Sequence, residues 1–159
     1  AEPLFRSSLM AGLIAVAKTN GAVSVGSSAK TQLGYRAPSS HGVKVKGVRL
    51  SFDGTSPTDA KAVVKIRKGT TSANGTSSAG VLGKISGHTG AVAGSCTQDY
   101  SAEMTWDASN PITVTELDVH TQSGLVLPLD IQLNPSEIIT LFASSANTRN
   151  LRAEFIVEE

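Results

Sequence analysis

A chain of 159 residues with fourteen basic and thirteen acidic side chains carries a formal charge of +1. That balance excludes a whole-protein field that would steer it toward nucleic acid or an anionic membrane. The length suits one domain that buries roughly two-thirds of its unfolded surface, and no apolar run reaches the ~18–20 residues of a membrane-spanning helix.

The lone Cys96 has no internal disulfide partner, which suits assembly in a reducing cytoplasm. Leu9 to Val16 resembles a signal-peptide core, yet Glu2 precedes it and only Arg6 supplies basic charge. The first residue is Ala, as after removal of an initiator Met, so the stretch is expected to be retained.

Residues 1–41 differ from the remainder. Phe5, Leu9, Leu13 and Val16 recur at helical spacing, so one reading of 5–17 is a short amphipathic helix, weakened by Gly12. The other is an extended apolar arm that orders against a partner. Short strands are expected at 22–26 and 31–36. Residues 42–159 form the main domain of this division. Val43 and Val45 alternate with Lys44 and Lys46, and the alternation resumes one residue late at Val48, Leu50 and Phe52. A one-residue slip turns side chains to the wrong face, so Gly47 is expected at a bulge in one bent strand. Asp53-Gly54 and Pro57 mark a turn, and Ala62, Val64 and Ile66 lead back. Antiparallel pairing of these two strands is the expectation.

Residues 70–80, TTSANGTSSAG, hold no apolar side chain larger than alanine and read as a surface loop. A weak strand over 81–85 and a loop over 86–95 follow. Tyr100, Met104 and Trp106 share one face of a strand over 97–106. After the turn at 107–111, Ile112 to Val119 is a strand with a second phase slip. Leu125, Leu127, Leu129, Ile131 and Leu133 alternate without a break, and Pro128 places their strand at an edge. Apolar residues 137–143 and the alternating Leu151, Ala153, Phe155 and Val157 close the chain. About eight strands, spaced by turns, predict an all-β, antiparallel β-sandwich of jelly-roll or Greek-key type, with an N-terminal arm or short helix.

The chemistry-bearing residues do not assemble into a familiar site. His41, His88 and His120 are scattered, and Asp118 with His120 on one strand face falls short of the three or four ligands of a zinc site. Ser27-Ser28-Ala29-Lys30 matches a serine-acylase string but sits in a Gly/Ser-rich break without its companion motifs. Asp99, Glu103, Glu116 and Asp118 are the carboxylates a hydrolase would draw on. Aromatic residues make up only 4% of the chain, which disfavours a sugar platform beyond Trp106 and Tyr100. These two are expected as core or interface residues. Lys44, Lys46, Arg49, Lys61, Lys65, Arg67 and Lys68 lie on outward strand faces, where such charges blunt sheet edges. The expectation is a structural or interaction protein, not an enzyme, with no catalytic residue, cofactor or metal.

The order of features resembles small virion proteins of tailed bacteriophages, nearest the jelly-roll capsid decoration (cement) proteins. The likeness rests on Pro3-Leu4-Phe5-Arg6-Ser7-Ser8-Leu9, Ser51-Phe52-Asp53-Gly54-Thr55-Ser56, a Val/Ile/Arg strand, a Thr/Gly/Ser loop and a terminal Phe-x-x-Glu. It implies a homotrimer on the capsid exterior, assembled in the host cytoplasm, that bridges major capsid proteins and touches neither nucleic acid nor membrane. Leu4, Phe5, Leu9, Leu13 and Ile14 are then the expected partner contacts. The alternative is a tail, neck or fibre module binding a receptor or glycan through the 70–80 and 86–95 loops.

Overall fold

The computed structural model describes residues 12–54, 60–87 and 89–159. Fourteen strands and no helix occur among them. The first seven are β1 (Ile14–Lys18), β2 (Val23–Val25), β3 (Lys30–Arg36), β4 (Val43–Phe52), β5 (Ala62–Gly69), β6 (Thr71–Ala73) and β7 (Thr76–Ala79). The remainder are β8 (Val81–Ser86), β9 (Ser95–Ala102), β10 (Thr105–Trp106), β11 (Ile112–Val119), β12 (Leu125–Leu133), β13 (Ile138–Ser145) and β14 (Arg149–Glu158).

Two six-stranded antiparallel sheets carry the fold. The first runs β12-β4-β14-β1-β8, with β2 also paired to β14; the second runs β11-β5-β13-β3-β9-β7. Strands β6 and β10 form a separate ribbon. Alternation explains the layering. Val43, Val45, Val48 and Leu50 of β4 and Leu151, Ala153, Phe155 and Val157 of β14 point inward. They meet Leu33, Tyr35, Val64, Ile66, Ile139 and Leu141 from the second sheet in one core. Each fully buried Leu, Ile or Phe contributes roughly 1.5–3 kcal/mol, so this shared layer holds the sheets face to face.

Four expectations change. Over residues 12–17 there is no helix: Ile14–Lys18 is strand β1, hydrogen-bonded between β14 and β8. Ala15 and Ala17 are buried while Ile14, Val16 and Lys18 face out, so alternation overrides the helical spacing. The rest of the 5–17 reading lies outside the described residues. Strands β4 and β5 do not pair; β4 takes β12 and β14 as neighbours, β5 takes β11 and β13. Both edges of each strand are filled by distant segments, and the connection between them crosses from one sheet to the other. The apolar-poor stretch 70–80 contains strands β6 and β7, exposed and held by backbone pairing. Finally, fourteen described strands replace the expected eight or so, because short exposed strands carry no hydrophobic alternation to announce them.

The phase slips are bulges. Ile156 pairs Gly47 and Val157 pairs Val45, which leaves Lys46 as the extra residue on β4; Val114 is skipped in the same way on β11. Strands β12 and β11 each end their sheets, and Pro128 lies on the former as its missing donor requires.

Candidate interaction surface

The outer face of the first sheet is organised by register. Val126 of β12, Arg49 of β4, Glu154 of β14, Lys18 of β1 and Val81 of β8 are direct cross-strand partners in one row. Two residues further along each strand, Pro128, Gly47, Ile156, Val16 and Gly83 form a second row. At the usual strand spacing each row runs about 19 Å across the sheet, and the rows lie about 7 Å apart. The second row is apolar and low: Gly47 and Gly83 raise no side chain beside Ile156 and Val16, and a Cβ built at Gly83 would meet nothing within 4 Å. Beyond it, Ile14 stands across from Glu158 and Ser86. The result is a shallow aliphatic strip between charged rows.

The opposite outer face is partly covered. There β10 and the preceding turn lay Met104 and Trp106 against Tyr100 and Ile138 in a small second core. The Arg67 guanidinium lies 3.8 Å from the Phe142 ring centroid and 5.5 Å from that of Trp106, and burial lowers its pKa. Glu103 Oε1 accepts the Thr31 backbone N–H at 2.7 Å and its hydroxyl at 3.0 Å. Tyr100 is buried, its hydroxyl 2.6 Å from Thr97 Oγ1. Trp106 and Tyr100 thus pack inside this layer and form no open stacking platform.

Of the five expected partner contacts, Leu4, Phe5 and Leu9 lie outside the described residues. Leu13 is 1% exposed and joins the main core, so it offers no surface to a partner; its backbone N–H donates to Glu159 O at 3.0 Å. Ile14 does face outward, half-buried, on the strip.

Six of the seven cations of the basic run are paired with carboxylates, and the seventh, Arg67, lies against the Phe142 and Trp106 rings. Lys44 pairs Asp130 at 3.3 Å, Lys46 pairs Glu158 at 4.0 Å, Lys61 pairs Asp118 at 2.8 Å, Lys65 pairs Glu116 at 3.8 Å and Lys68 pairs Glu137 at 3.9 Å. Arg49 pairs Glu154 directly across the sheet. Two cations outside that run, Lys18 and Arg152, have no charged or hydrogen-bonded side-chain partner among the described residues. They share an open groove of about 550 Å3 with Asn20, Arg49, Val126 and Glu154. A second groove of about 300 Å3 adjoins it, with Ser51 and Arg152 common to both and Asp53 at its wall. Asp53 accepts the Asn150 backbone N–H at 2.8 Å and its amide at 2.9 Å. The backbone bond is the chief cause that holds its pKa below the usual carboxylate range.

The other chemical candidates are spent on structure. Lys30 of the Ser-x-x-Lys string gives its ammonium to Asp99 at 2.6 Å. His120 Nδ1 accepts the Gln122 N–H at 3.2 Å, and His88 lies outside the described residues. No group of three or more His, Cys, Asp or Glu converges among the described residues. Cys96 is buried, and burial pushes its thiol up to about 12. Comparison with known protein families, curated proteins and solved structures finds no match.

Proposed function

We propose that this chain is a virion structural protein: a capsid decoration protein that binds between major capsid proteins and stabilises the head. The observation that carries the reading is the strip of Val16, Ile156, Gly47 and Gly83 between charged rows. Ile14, one of the expected partner contacts, faces outward at the margin of this strip. A flat aliphatic strip with a polar rim is the anatomy of a protein interface, and an apolar segment that orders on contact extends the buried area. Trimerisation on the capsid exterior would repeat a modest contact by symmetry and give avidity. A jelly-roll topology is supported by the chain path, since β3, β4 and β5 alternate between sheets, as do β11, β12, β13 and β14.

The test is occupancy on purified particles. Deletion must stop at residue 11, because residues 14–18 are an internal strand of the first sheet. Removing residues 2–11, or replacing Val16 and Ile156 with Asp, is expected to leave a folded domain that no longer decorates heads. Undiminished occupancy would sink the proposal. Density at the tail or neck in a cryo-EM map would replace it with the receptor- or glycan-binding reading.

A further inference from the structure

We propose that the groove holding Lys18 and Arg152 is a docking site for an acidic polypeptide segment. The inference deepens the capsid reading, on which the identity of the partner rests, by naming the chemistry the partner presents.

The groove is lined by three cations and one carboxylate. Arg49 and Glu154 satisfy each other, which leaves Lys18 and Arg152 as positive charge uncompensated among the described residues. Register sets their separation. Lys18 lies opposite Glu154, and Arg152 is two residues further along β14, so their Cα atoms stand about 8 Å apart by strand geometry. Alternate side chains of an extended peptide recur about 7 Å apart, so two acidic residues at positions i and i+2 match the two cations.

The walls decide among anionic ligands. Leu125, Val126 and Val81 supply aliphatic surface, Val126 being 73% exposed. Among the described residues no aromatic ring lines this groove on which a sugar would stack. Aliphatic walls beside spaced cations suit a peptide that mixes carboxylates with apolar side chains. The adjoining groove past Ser51 extends the track, and its own carboxylate, Asp53, is already held by Asn150.

The probe is a fluorescein-labelled oligoglutamate peptide read by anisotropy with the whole chain. Saturable binding is expected that weakens as salt rises above about 0.1 M, where the screening length falls below 10 Å. The pair Lys18→Gln and Arg152→Gln is expected to weaken it about tenfold, in line with two lost charge contacts at a partly desolvated surface. The charge-keeping pair Lys18→Arg and Arg152→Lys is expected to retain it, with both variants melting as the parent does. Absence of saturable binding, or equal binding by the Gln pair, overturns the assignment. So does tighter binding of oligogalacturonate or inorganic phosphate, which would make the groove a sugar-acid or phosphate site. If the peptide binds as expected while particles remain undecorated, the capsid reading fails and the groove stands.

Discussion

Replacing Tyr35 with Phe keeps a fully buried ring and removes one bond at the point where both ends of the described chain meet. The Tyr35 hydroxyl donates to Glu159 Oε2 at 2.6 Å; the backbone N–H groups of Ala93 and Gly94 donate to the same carboxylate at 2.6 and 3.0 Å. Glu159 in turn pairs its backbone with Leu13, so one side chain fastens the loop after β8, the C-terminal strand and the start of β1. A hydrogen bond to a charged group is worth about 1.5–3 kcal/mol. The low end applies, because Glu159 is only half-buried and keeps two donors. A loss of about 1.5–2 kcal/mol corresponds to a fall of about 3–8 °C in Tm for a chain of this size. Burial first, and the Glu159 carboxylate second, push the Tyr35 phenol well above its ordinary range. A raised pKa means that folding favours the protonated form. Its contribution is therefore complete below about pH 10 and is lost as pH rises further. Urea unfolding by circular dichroism at neutral and alkaline pH, on the parent, Tyr35→Phe, Glu159→Gln and the double variant, checks both parts. The gap between parent and Tyr35→Phe should narrow above about pH 10, and the two single changes should be non-additive. A gap under about 0.5 kcal/mol, or strict additivity, would refute the clamp.

Leu13→Ala should cost about 2–4 kcal/mol in the isolated protein, measured by urea denaturation; a neutral change there would return Leu13 to the partner surface. Arg67→Ala should lose about 1–2 kcal/mol of ring contact and shift Trp106 emission, since its guanidinium lies over both Phe142 and Trp106. Asp53→Asn should be less stable than the parent at neutral pH, with the difference vanishing in acid. The native carboxylate's pKa is lowered, so its contribution is present above the ordinary carboxylate pKa and disappears as pH falls through the depressed value. A difference that persists unchanged into strong acid would show that the Asn150 bonds do not depend on the charge.

Period-two alternation made the inward residues legible without fixing their partners. Val43, Val45, Val48 and Leu50 announced both a buried face and the slip at Gly47, and the bulge is there. The same pattern on Ala62, Val64 and Ile66 suggested a hairpin, yet the two strands lie in opposite sheets. Alternation specifies a face, and a sandwich offers two inner faces that look alike in sequence. Residues 12–17 show the reverse failure. Ala15, Ala17 and Leu13 are small or aliphatic enough to fit either period, and the free edges of β14 and β8 decided for a strand. Thr71–Ala73 and Thr76–Ala79 carried no hydrophobic signal at all, because their stabilisation is backbone pairing at the surface.

Charge was the least legible property, for a related reason. The run from Lys44 to Lys68 is the positive feature of the sequence, and each of its ammonium groups is met by a carboxylate from a segment far away in sequence. Lys18 and Arg152 belong to no cationic run in the sequence, Lys18 following an apolar stretch and Arg152 lying in an alternating apolar strand. Register places them on adjacent strands, one row apart, beside a glutamate already committed to Arg49. Exposed ion pairs contribute little to stability, but they decide which charges remain available to a partner. In a chain with a formal charge of +1, a surface can attract an acidic segment only where pairing leaves a local remainder. The outer face of the first sheet has such a remainder within reach of its aliphatic strip, so charge can orient a partner there while the strip supplies the buried area.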